Sequence, residues 1–173
     1  VASRGLGDVY KRQDTYTAKN LAVNWENNRG HELERSAILA HRGLFFCESE
    51  KNSPKALKRA LDEGFGIETD VRDLNGKLVI SHDPAIDGPN LLNFEWLLEE
   101  IKSSSSNGRI ALNIKSDGLS GLIETQIIHH GLDSSRLFVF DMSVPDSLAY
   151  LKTGISVYSR ISDYEQVPAF MEQ

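Results

Sequence analysis

The sequence predicts an α/β chain of parallel βα units, and three observations carry that prediction. From Ser36 onward, short apolar runs rich in β-branched residues alternate with amphipathic helical patterns. Ser53, Ser143 and Ser162 stand where a side-chain oxygen can cap the start of a helical pattern. Gly64 and Gly131 stand where two such patterns stop. With 173 residues, 40% of them hydrophobic and 25% charged, the chain is long enough to bury one core, and one domain is expected.

The elements follow in order. A buried first strand is expected over 37–40, ending at His41. Ser53 then caps a helix with Pro54 at its first position and Ala56, Leu57, Ala60 and Leu61 on one face. The second strand spans 67–74. Asn75-Gly76 is a strong two-residue hairpin signal and turns the chain into a strand over 77–81, which brings His82 back toward the start of the second strand. A helix with Phe94, Leu97, Leu98 and Ile101 inward leads to a flexible loop over 103–108. The third parallel strand covers 110–115, and Leu119, Leu122, Ile123 and Ile127 mark the helix after it. A fourth strand over 137–141 precedes the capping box Ser143-Val144-Pro145-Asp146, and a fifth over 155–159 precedes a second box, Ser162-Asp163-Tyr164-Glu165. Five βα units suit a doubly wound sheet or an incomplete barrel, and periodicity does not separate them.

Composition excludes some partners. The net charge is −6 and the lysines and arginines form no run, so no nucleic-acid footprint is expected, and phosphate recognition should come from one or two cations in a pocket. The sequence contains no apolar stretch of membrane-spanning length. Cys47 is the only cysteine and cannot form an internal disulfide; flanked by Phe46 and Glu48, it reads as an ordinary core or loop residue. Residues 1–13 resemble a translated adapter remnant and are set aside, and 14–35 form a polar flank. The phosphate-binding and catalytic candidates all lie in the domain expected over 36–173.

Chemistry concentrates at the strand ends. Glu68 and Asp70 are two apart on a strand, so both carboxylates face one side while Ile67, Thr69 and Val71 face the other. Like charges that close need a cation, either a hard divalent ion or a basic side chain. Asn113 and Lys115 share one face of the third strand, an amide oxygen suited to a hard ion and a point charge suited to a phosphate oxygen. His41 and Arg42 end the first strand before Gly43, and His82-Asp83 end the hairpin, so the two histidines are candidates for an acid and a base. Other polar residues have plainer readings: His129-His130 cap a helix C-terminus, His31 is solvated, Trp25 and Trp96 pack, and Asp141 and Arg160, at the ends of strands four and five, either line the pocket or form an ion pair at the rim.

Taken in order, Ala40-His41-Arg42-Gly43, Asn52-Ser53, Gly64, Glu68-Thr69-Asp70-Val71, Gly76 and Val79-Ile80-Ser81-His82-Asp83 resemble the glycerophosphodiester phosphodiesterase family. The match is tight over 36–84 and looser at Leu112-Asn113-Ile114-Lys115 and Phe138-Val139-Phe140-Asp141. The resemblance implies a TIM (β/α)8-type barrel cut off after about five of its usual eight units. It also implies hydrolysis of a small phosphodiester with one divalent cation, Mg²⁺ or Ca²⁺. By matching position, His41 and His82 become the acid–base pair, Glu68, Asp70 and Asn113 the metal ligands, Arg42 and Lys115 the phosphate contacts, and Asp83 a residue that orients the hairpin end. Two positions depart from the family: Lys51 and Asn113 each stand where the family has Glu. A neutral Asn113 removes one charge from the metal site, so affinity should fall. The alternative is a binding module without catalysis that holds a phosphate ligand through Arg42 and Lys115. Because the chain stops inside the fifth predicted helix, a fragment is expected.

Overall fold

The structure is a computed structural model and describes residues 34–159. The flank and leading segment, Trp25, His31, Arg160 and the second capping box lie outside the described residues.

Among the described residues seven strands form one sheet and four α-helices cover it. The strands are β1 (Leu39–His41), β2 (Gly66–Leu74), β3 (Lys77–Ile80), β4 (Leu92–Asn93), β5 (Ile110–Ile114), β6 (Leu137–Phe140) and β7 (Ser156–Tyr158). The helices are α1 (Pro54–Asp62), α2 (Phe94–Ser103), α3 (Ser120–His130) and α4 (Val144–Tyr150). No described helix is long and apolar enough to cross a membrane.

Local signals account for the elements. Ser53 accepts from the Ala56 amide and Pro54 opens α1. Asn75 and Gly76 both take positive φ, 51° and 77°, which the tight β2–β3 turn needs. Gly131 ends α3 in the left-handed conformation. Ser143 caps α4 through the Asp146 amide, but the box is not reciprocal. The Asp146 carboxylate turns to the Gly118 amide, and Asp117 takes the Ser143 amide.

Three expectations change. Leu122 is exposed, because the buried stripe of α3 is Leu119, Ile123 and Ile127, each four residues from the next, and Leu122 falls outside it. The loop after α2 is pinned: Ser106 is buried and donates to the Phe65 carbonyl, and Arg136 donates to the carbonyls of Ser106 and Gly108. The first strand starts two residues later than expected, behind a 3-10 turn at Arg35–Ala37, and Leu39 and His41 are exposed, because β2 pairs with it on one side only.

The sheet order adds to what periodicity shows, without closing a barrel among the described residues. The parallel strands run β1, β2, β5, β6, β7, each next to its successor in the chain. A doubly wound sheet reverses direction at a switch point, and no such reversal occurs among the described residues. The sheet is open there, since β1 and β7 each have one partner. On one edge β2 pairs with β1 as far as the His41–Glu68 rung and with antiparallel β3 from the Val71–Ile80 rung. Between those rungs the ladder is completed by loop amides: Arg42 donates to the Glu68 carbonyl and Ser81 to the Asp70 carbonyl.

Strand alternation separates two environments. Ile67, Val71, Ile110, Leu112, Ile114, Leu137 and Val139 join Leu57, Leu61, Leu97, Leu98, Ile101 and Ile123 in one core between sheet and helices. The opposite face carries Glu68, Ala111, Phe138 and Phe140, which with Leu39, Tyr158 and Ser159 line an open cavity of about 280 Å³. Trp96 packs against the edge of the core, as expected.

Candidate phosphodiester site

The parallel strands end on one rim, and that rim gathers most of the expected residues. His41 pairs in register with Glu68, and Asp70 with Asn113. Glu68 and Asp70 are both buried. The Glu68 Oε2 lies 3.6 Å from His41 Nε2 and accepts from the Arg42 amide at 3.2 Å. Burial pushes the Glu68 carboxyl up from its ordinary value; the nearby His41 imidazole pulls it down, the Asp70 charge pushes it up, and hydrogen bonds from Asn113 and the Arg42 amide pull it down. A carboxylate desolvated by burial is what a bound cation would stabilise in its charged form.

Asp70 is held from three sides. Its Oδ2 accepts from Asn52 Nδ2 at 2.8 Å and lies 3.0 Å from Arg42 Nε. Its Oδ1 lies 3.6 Å from Lys115 Nζ, yet has no hydrogen-bond partner, and neither has the buried Oδ1 of Asn113. Two orphaned, buried oxygens on adjacent strands, beside the Glu68 carboxylate, form an oxygen donor set of the kind hard divalent cations take. Glu68, Asp70 and Asn113 therefore fit such an ion, with two carboxylates and one neutral amide; no group of three or more His, Cys, Asp or Glu side chains suited to a metal occurs among the described residues.

Lys115 also pairs with Asp141 Oδ2 at 3.4 Å, so of its two expected roles Asp141 takes that of the ion pair. His82 stands to one side. The hairpin returns it only as far as the middle of β2, where Ser81 bonds the Asp70 carbonyl, and its Nδ1 lies 2.9 Å from Asp83 Oδ1 with the ring half-exposed. Lys51 folds onto its own loop, 2.6 Å from Glu48 and over the Phe45 ring. Cys47 is an exposed loop residue. His130 Nδ1 lies 2.9 Å from the Gln126 carbonyl, consistent with a helix-end role.

Two residues at the site carry more than the sequence indicates. Asn52, read as a helix opener, has a left-handed backbone (φ 56°); its amide nitrogen grips Asp70 and its Oδ1 accepts from Thr69 Oγ1 at 2.9 Å. Its own backbone N–H donates to the Arg42 carbonyl, so the two left-handed residues brace each other. Arg72, which lies within the expected second strand and is not singled out there, donates to the carbonyls of His82 and Lys115. Strand parity puts Arg72 on the Glu68–Asp70 face, which was the one available signal.

No family model and no curated protein matches the sequence. Among solved structures, the chain is similar to a crystal structure from Galdieria sulphuraria described as "a putative glycerophosphodiester phosphodiesterase", with a TM-score of 0.59 and 15% identity. The match covers 70% of this chain and 63% of that one, so the chain spans less than two thirds of that protein's length. At this identity the likeness shows the fold.

Proposed function

We propose that the chain carries a site for metal-assisted hydrolysis of a small phosphodiester of the glycerophosphodiester kind, within a barrel-type domain. The observation that carries it is the pair of buried, unpartnered oxygens, Asp70 Oδ1 and Asn113 Oδ1, beside Glu68 and flanked by Arg42 and Lys115. A divalent cation held there would offset negative charge developing on the phosphate oxygens. Arg42 and Lys115 would hold the same oxygens from the sides, and both ion-pair with Asp70 in the structure. One histidine would take a proton from an attacking hydroxyl of the substrate while the other donates one to the leaving alcohol; water would then open the resulting cyclic phosphate with the roles exchanged. His41 Nε2 lies 3.6 Å from a Glu68 oxygen and His82 Nδ1 2.9 Å from an Asp83 oxygen, so each ring has a carboxylate beside it to fix its orientation.

The test is turnover of glycerophosphoethanolamine, whose free glycerol hydroxyl can attack the phosphorus, with Mg²⁺ or Ca²⁺, with and without chelator, by the parent, His41→Ala and His82→Ala proteins. Chelator should abolish turnover, and each substitution should lower it about 10²-fold or more. Equal rates in all three proteins would end the two-histidine assignment. Phosphate binding without metal-dependent turnover would favour a binding module, for which the neutral Asn113 is the relevant observation.

A further inference from the structure

His82 has little to hold it. It lies beyond the last β2–β3 rung, Val71–Ile80, in a stretch over 81–91 that has no helix or strand. Its ring hydrogen-bonds only to its exposed neighbour Asp83 among the contacts of the described residues. Its backbone is nevertheless fixed from the sheet. Arg72 Nε donates to the His82 carbonyl at 3.0 Å, and Arg72 Nη1 donates to the Lys115 carbonyl at 2.9 Å. These two acceptors follow strands on opposite edges of β2, antiparallel β3 on one side and parallel β5 on the other. One side chain thus spans β2 and ties together the exits of its two neighbours.

The choice of side chain matters. A guanidinium presents its N–H groups in a rigid planar fork, so it fixes two acceptors relative to each other, whereas a lysine ammonium is a point charge on a flexible stem. We propose that Arg72 is the positioning residue for His82: its fork sets the backbone of the acid–base histidine at a fixed place relative to the strand end that bears Lys115. The inference rests on the two-histidine function above. Arg72 acts through His82, so its removal should displace the proton-transfer group while leaving the cation and phosphate contacts of Glu68, Asp70, Asn113 and Arg42 in place. A displacement of about 1 Å at a reacting group is enough to lower a rate by orders of magnitude.

The experiment compares Arg72→Met and Arg72→Lys with the parent chain, using glycerophosphoethanolamine and Mg²⁺. In both variants kcat should fall by about tenfold or more while KM stays within about twofold, the split expected when a group needed in the transition state is misplaced. In a His82→Ala background, Arg72→Met should lower kcat no further, because its effect passes through the missing ring. Independently of turnover, the NMR signals of the His82 imidazole should move in both variants and those of His41 should not. Unchanged His82 signals, an unchanged kcat, or the same loss with and without His82 would overturn the inference. A parent without turnover would sink the functional reading alone, and the His82 signals would then decide the role of Arg72. If the Met variant does not fold, the Lys variant carries the same readouts.

Discussion

Asn52 holds a buried carboxylate with its side-chain amide and the Arg42 carbonyl with its backbone N–H. The side chain donates to Asp70 and accepts from the buried Thr69 hydroxyl, and the backbone holds φ 56°. Asn52→Ala should therefore destabilise the protein by about 1–3 kcal/mol through the polar groups it strands, with a further contribution from the left-handed backbone. Asn52→Gly, which accepts that backbone freely, separates the two contributions in urea denaturation. Asn113→Glu replaces a neutral donor with an anion beside Glu68 and Asp70, so it should tighten divalent-cation binding in calorimetry. No heat of binding in either protein would mean that Arg42, Lys115 and Asn52 satisfy Asp70 without an ion. Strand alternation made the Glu68–Asp70 pair and the Asn113–Lys115 pair legible in the sequence. The grip of Asn52 on Asp70 was not legible, because it depends on a loop that folds back across 18 residues, and an asparagine before Ser53-Pro54 looks like a local helix signal.

The connection from β1 to α1 is the element that presents Arg42 and Asn52, and a small network holds it. Glu50 accepts from the Phe46 amide and from Arg59, and pairs with Lys55; Arg59 also donates to the Leu44 carbonyl and stacks on the Phe46 ring. The Phe46 amide first, then the Lys55 and Arg59 contacts, hold the Glu50 carboxyl down at about 2. A carboxyl lowered by folding adds stability above its ordinary value of 4.5 and loses it as pH falls toward 2. Glu50→Gln should flatten that acid limb, so the stability gap between variant and parent closes between those values in urea melts taken across pH. Gly43, with φ +86°, lies against α1, where an added Cβ would sit 2.6 Å from the Ala56 carbonyl carbon. Gly43→Ala should destabilise by about 2 kcal/mol or more, since strained backbone and a backbone clash add; a variant as stable as the parent would show that the loop moves freely. Elements with strong local chemistry, such as the Asn75-Gly76 turn and the Gly131 stop, were read correctly from sequence. The loop over 103–108 was not, because what pins it is Phe65 and Arg136, distant in the chain.

For the whole molecule, sequence gave the class but not the winding, since the order of parallel strands is a matter of long-range pairing that apolar periodicity does not encode. The described sheet leaves an edge at β1 and another at β7, and its inner face shows Leu39, Phe138, Phe140 and Tyr158 around the cavity. Such a surface invites association. Residues 36–173 expressed alone should therefore self-associate as concentration rises in sedimentation, and Tyr158→Lys, which puts a charge on the β7 edge, should shift the equilibrium toward monomer. A monomeric, cooperatively unfolding chain at all concentrations would show that these surfaces are covered. The change of partner along one edge of β2 has a different kind of consequence. Between the His41–Glu68 and Val71–Ile80 rungs, the ladder is closed by the amides of Arg42 and Ser81, the first residues of two separate loops. Each loop leaves the sheet immediately after making its rung, so insertions or deletions farther along either one leave every rung of β2 intact. The two loops can thus diverge in length and sequence independently of each other, while the register that sets Glu68 beside Asp70 is inherited unchanged.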